Sequence, residues 1–180
     1  MDISAAMIEI AQQRVPQAEF QLGSLFQVSI PPCRAVVVIG ECINYLFDHN
    51  NNQQTLEQFF RRVYNALFPG GLFIFDVLEP EQVSLETTVK SFIEGEGWLV
   101  LVEKSEDDQH ILTRRIITFR QTGALYRRDQ EVHQQKLYDP LNLASMLCQI
   151  GFQVEVTKGY ENYNLPGKRA VLTAVKCSLT

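Results

Sequence analysis

Three short stretches of the 180-residue chain carry residues suited to holding a polar small molecule: Asp2, Gly23-Ser24 and Gly40-Glu41. A carboxylate accepts several hydrogen bonds, so Asp2 can hold both hydroxyls of a ribose. Gly40 allows a ligand close to the backbone. Leu25 and Phe26 offer apolar cover for a flat ring. A second group lies in the run Tyr126 to Lys136, where a period of two places Arg127, Asp129, Glu131 and His133 on one face. That face has two readings. It is a solvated edge strand with cross-strand ion pairs to Arg114 or Arg115, or Glu131 and His133 line a cavity in which His133 orients an acceptor group or takes its proton. Tyr45 is either a pocket wall or core packing.

Positioning these residues requires an α/β framework. Ser4 is a suitable N-cap for a helix whose apolar residues Ile3, Met7, Ile10 and Ala11 recur near helical spacing up to Val15-Pro16. A short strand is predicted over Ala18 to Leu22. Ala35 to Ile39 is apolar on both faces, as in a parallel sheet covered by helices on each side. Leu56, Phe59, Phe60, Val63 and Leu67 form one helical stripe that Pro69-Gly70-Gly71 ends. Leu72 to Val77 is a second buried strand, which makes a right-handed βαβ crossover.

A helix is predicted over Glu81 to Ile93. Three extended stretches follow: Trp98 to Lys104, Ile111 to Arg120 and Leu125 to Leu137. Their connections have hairpin chemistry, so an antiparallel three-stranded insertion is expected over residues 95–138, with Trp98 packing it against the parallel sheet. Asp139-Pro140 opens a helix that Gly151 closes. Phe152 to Lys158 and Arg169 to Lys176 are the final strands. Tyr160 and Tyr163, with Asn162 and Asn164, occupy the turn between them. One domain, 1–180, is the economical division.

The acidic balance, 21 Asp+Glu against 16 Lys+Arg, argues against nucleic acid as a partner. No apolar stretch approaches the roughly 20 residues of a membrane span. Cys33, Cys42, Cys148 and Cys177 are scattered, without metal-site spacing. They read as buried, reduced thiols of a cytoplasmic protein. No metal is expected.

In order along the chain, these pieces resemble a class I S-adenosylmethionine-dependent methyltransferase of the small-molecule type. Asp2-Ile3-Ser4-x-x-Met7 is similar to the segment after the family's second strand, whose acid holds the ribose. Phe20-x-x-Gly23-Ser24 is similar to the end of the third strand, beside the adenine. Ala35 to Glu41 resembles the fourth strand and its edge. Asn65 to Ile74 resembles the Leu-x-Pro-Gly-Gly run before the fifth, and Leu147-x-x-x-Gly151-Phe152 the helix end before the sixth. The resemblance implies a Rossmann-like methyltransferase sheet with an antiparallel roof inserted after the fifth strand. It also implies S-adenosyl-L-methionine as cofactor, held by Asp2, Ile3, Gly23, Ser24, Leu25, Gly40 and Glu41. The partner would be a small-molecule acceptor, methylated on N or O, with His133, Glu131 and Tyr45 at the reacting atoms. The alternative is a non-catalytic scaffold with the same sheet.

The family's Gly-rich loop after the first strand has no counterpart here, and Met1 directly precedes the ribose-type acid. Against the family pattern the chain is N-terminally truncated, with the first two strands missing. The expected consequences are a detached Ala18 to Leu22 strand, an unpaired apolar edge at Ala35 to Ile39, impaired cofactor binding, and self-association through that edge.

Overall fold

A computed structural model describes residues 1–177. Its elements are α1 (Ala5–Arg14), β1 (Cys33–Val38), α2 (Gln53–Ala66), β2 (Leu67–Leu78), β3 (Val89–Gly95), β4 (Trp98–Glu106), β5 (Ile111–Thr122), β6 (Leu125–Lys136), α3 (Pro140–Ile150), β7 (Phe152–Thr157), β8 (Gly159–Tyr160), β9 (Tyr163–Asn164) and β10 (Arg169–Lys176). Two four-stranded sheets organise the chain. One runs β1-β2-β10-β7 and the other β3-β4-β5-β6. β1 and β2 are parallel, joined through α2, while β10 runs antiparallel to both β2 and β7.

The core lies between the first sheet and the pair α2 and α3. Leu56, Phe59, Phe60 and Val63 of α2 meet Phe73 and Phe75 of β2, Leu143 and Leu147 of α3, and Leu172 of β10. Phe59 and Phe60 both stand edge-on to Phe73, with ring centroids 5.8 Å apart in each pair. The helix ends follow from local chemistry. Asn52 and Thr55 form a reciprocal capping box at the start of α2. Asp139 caps α3, Pro140 opens it, and Gly151 closes it in the left-handed conformation at φ 119°. Gly71 is required sterically. A Cβ there would lie 2.8 Å from the Phe68 carbonyl and 3.0 Å from that of Arg34.

Several expectations are corrected. β1 is covered on one face only and lies at the sheet edge, so Val37 and Ile39 are 55% and 58% exposed. A continuous apolar run therefore does not mean two-sided burial in this chain. In α1, Met7 and Ile10 face outward and Ile8 is the buried residue. Ala18 to Leu22 forms no strand; its trace is a single parallel bridge from Leu22 to Asp2. The cysteines are free, but Cys42, Cys148 and Cys177 are exposed rather than buried.

The segment after β2 departs most. Residues 81–93 are not a helix, because Glu106 captures the start and β4 captures the end. The buried Glu106 carboxylate accepts from the backbone N–H groups of Glu81, Gln82 and Val83. β3 then pairs antiparallel with β4 from Val89↔Lys104 to Gly95↔Trp98. The antiparallel sheet thus has four strands, and its first begins before the expected boundary at 95. Trp98 does not pack against the parallel sheet. It lies over Gly95, where a Cβ would come 2.3 Å from the indole.

Burial works to raise the Glu106 pKa, but the three N–H groups and His110 outweigh it and the net direction is down. A lowered folded-state value means that its stabilisation is complete above the ordinary value and fades as pH falls through the folded one. Glu106→Gln is expected to cost about 1–3 kcal/mol at neutral pH. Urea midpoints of variant and wild type should converge as the medium is acidified.

Candidate functional site

The carboxyl ends of β1 and β2 form a crest shaped by Asp76, a buried carboxylate near the end of an apolar strand. Its Oδ1 accepts from the N–H of Gly40 and of Glu41, each at 2.8 Å. Those bonds hold two successive left-handed residues, Gly40 at φ 91° and Glu41 at φ 62°. The second is uncommon for a non-glycine residue and needs such an anchor. A Cβ on Gly40 would meet nothing within 4 Å, so the crest opens onto free space.

The segment Asp2 to Ser4 joins the tip at Gly23 through the backbone. Asp2 N–H donates to Gln21 and Gly23 N–H donates to Asp2. Gly23 also faces open space. Asp2 uses Oδ1 to accept from Ser4 N–H at 2.8 Å; no side chain among the described residues bonds its Oδ2. The Ser24 hydroxyl is committed inward. It donates to Asp48 and accepts from Phe26 N–H. It therefore fixes the tip rather than reaching toward an adenine. Leu25 is half-buried, its carbonyl accepting from Arg62, and Ile3 is exposed.

Electrostatics tie the tips together. Desolvation, then the carboxylates of Asp76, Asp2 and Glu41, push the Cys42 thiol above its ordinary value. The charge of Asp2 thus reaches the turn at 40–42.

The antiparallel sheet closes the other side. Asn44, fully buried, donates to the carbonyls of Leu78 and Lys136 and accepts from Leu78 N–H. One amide therefore ties the end of β2 to the end of β6. Tyr45 bridges to Gln135, and Leu46 N–H donates to Gln134. Glu41 turns toward this sheet. Its Oε1 accepts from Arg169 and its Oε2 from Gln135 Nε2. It neither caps the following turn nor faces the cradle as a free carboxylate.

Lys104, Arg114 and His133 are directly opposed across β4, β5 and β6. With Gln135 two residues beyond His133, they share the face that meets the crest. Tyr45 stands edge-on to His133 with centroids 5.8 Å apart. Burial raises the Tyr45 pKa, and the neighbouring Arg114 guanidinium works against that. His133 Nε2 lies 3.1 Å from Glu131 Oε2. Arg115 pairs with Glu103 on the opposite face, so neither it nor Arg114 forms an ion pair with β6.

Tyr160 points inward while Tyr163 is exposed. Burial of the Tyr160 hydroxyl, then the nearby Asp76 carboxylate, pushes its pKa up. Sequence reasoning missed Asp76, Asn44 and Asp48. Only Asp76 left a signal, as the lone carboxylate in Leu72-Phe-Ile-Phe-Asp-Val77.

No protein-family model matches the chain. It is 24% identical over 161 residues to the "Putative methyltransferase YqeM" of Bacillus subtilis (strain 168), covering 86% of this chain and 64% of that protein. The chain thus spans less than two thirds of the length of this curated relative. Among solved structures, an S-adenosylmethionine-dependent methyltransferase from Clostridium acetobutylicum ATCC 824 superposes with a TM-score of 0.80. Identity is 18%, over 98% of this chain and 73% of that one. CalS10, an amino pentose methyltransferase from Micromonospora echinaspora solved with S-adenosylmethionine bound, gives a TM-score of 0.75. Identity is 15%, over 97% of this chain and 71% of that one. The fold is that of S-adenosylmethionine-dependent methyltransferases. The methyltransferase fold here keeps its crest by one carboxylate. Asp76→Ala is expected to lower stability by about 2–3 kcal/mol, since two N–H groups lose their acceptor and a strained residue its anchor. Chemical denaturation measures this.

Proposed function

We propose that the chain binds S-adenosyl-L-methionine in the cradle formed by residues 2–3, 23–25 and 40–41, and methylates an N or O atom of a small molecule held beneath the antiparallel sheet. The observation that carries this reading is convergence. Asp2 and Gly23 are joined directly, the charges of Asp76, Asp2 and Glu41 all act on Cys42 in the turn at 40–42, and both glycine tips face open space. The residues present fit such a ligand. Asp2 Oδ2 is available to a ribose hydroxyl, and the glycines admit close approach.

S-adenosylmethionine supplies a methyl carbon on a sulfonium, open to in-line attack by an amine or hydroxyl lone pair. The chain's own task is to align the acceptor, exclude water and take up a proton. His133 suits the last role. Glu131 engages Nε2, which leaves Nδ1 for the acceptor's proton. Glu131 orients the ring, and Tyr45 backs it on the crest side. No helix among the described residues is long and apolar enough to cross a membrane. A cytoplasmic setting is supported by four free cysteines.

Calorimetric titration with S-adenosylhomocysteine tests the reading. The chain should bind it measurably, and Asp2→Ala should weaken binding roughly tenfold or more. Absence of binding, or binding unchanged by Asp2→Ala, would contradict the reading. Once an acceptor is in hand, His133→Ala should lower turnover by about 10²-fold or more with cofactor affinity unchanged.

A further inference from the structure

The face of the antiparallel sheet that meets the crest carries more positive charge than the protein neutralises. Lys104 and Arg114 are direct cross-strand neighbours, an arrangement that like charges disfavour. Arg169 lies close enough for its charge to act on Lys104. The carboxylates around them are already engaged. Glu41 bonds Arg169 and Gln135. Asp76 accepts two backbone N–H groups, and Glu106 accepts three. Glu131 holds His133. Among the described residues neither Lys104 nor Arg114 has a carboxylate partner.

Two further observations point inward. Among the described residues, Arg114 Nε is buried without a hydrogen-bond acceptor, and Gln135, 0% exposed, has no donor to its Oε1. The first asks for an acceptor and the second for a donor, side by side on one wall. Burial, then Arg114 and Arg169, lowers the Lys104 pKa, and the Glu41 carboxylate, already bonded to Arg169, offsets this only in part.

We propose that Lys104 and Arg114 form an anion subsite, so that the acceptor carries a carboxylate or phosphate group. A donor on the same acceptor would satisfy Gln135 Oε1. This rests on the methyl-transfer reading for the acceptor's role; the subsite itself is defined by its cations. Bidentate contact from Arg114 and a point charge from Lys104 suit either anion.

The test titrates the chain with inorganic phosphate and, separately, acetate, at fixed ionic strength. Carbon-13 NMR of the lysine side chains follows binding, with S-adenosylhomocysteine added in a parallel sample. Lys104 signals should move saturably. Lys104→Gln and Arg114→Gln should each weaken binding roughly tenfold or more. Lys90→Gln, which removes a cation paired with Glu103, should leave it unchanged. Phosphate binding more tightly than acetate assigns a phosphorylated acceptor, and the reverse a carboxylate. No saturable shift at Lys104, or equal weakening by Lys90→Gln, overturns the subsite. Loss of S-adenosylhomocysteine binding with the anion response intact would overturn the methyl-transfer reading instead.

Discussion

The carboxylate of Asp76 is the constraint on which the site depends. It stands near the end of a strand whose neighbours Phe75 and Val77 are buried in the core, so its position is set by packing. By accepting from two successive N–H groups it holds Gly40 and Glu41 in left-handed conformations. That turn opens the crest at Gly40 and sends the Glu41 side chain toward Arg169 and Gln135. One carboxylate thereby sets both the open tip and the polar link to the second sheet.

That link is made of buried polar groups rather than apolar contact. Asn44 bonds the ends of β2 and β6, and Glu41 bridges β10 and β6 through Arg169 and Gln135. Buried bonds of this kind are costly when half-made, so they favour one orientation of the antiparallel sheet over slipped alternatives. The orientation matters because it brings the row of Lys104, Arg114 and His133 to the crest. A hollow on the same face of that sheet, lined by Trp98, Arg120, Arg127 and Asp129, runs up to Glu131, two residues from His133.

Strong local patterns made much of the fold legible. The α2 stripe, the Pro-Gly-Gly stop, the Asp139-Pro140 start and the Gly151 cap each carry a steric or hydrogen-bonding reason within a few residues. The motifs at Asp2, Gly23-Ser24 and Gly40-Glu41 stood out in the sequence because they are local too. What failed was decided over long distances. Residues 81–93 carry helix-forming residues, yet Glu106, 25 residues beyond Glu81, captures their start, and hairpin pairing with β4 captures their end. The apolar run at β1 shows affinity for burial but not which face is covered. Asp48 claims the Ser24 hydroxyl from 24 residues away, and nothing in the local sequence signals it.

The central claim, that the three tips form one nucleoside-binding surface, is tested most directly by mapping backbone amide shifts during titration with S-adenosylhomocysteine. The account predicts that the largest shifts fall together at residues 2–4, 23–25 and 40–42 and saturate with a single affinity. Saturating shifts confined to the distal hollow around Trp98 and Arg120, with the tips unmoved, would contradict it.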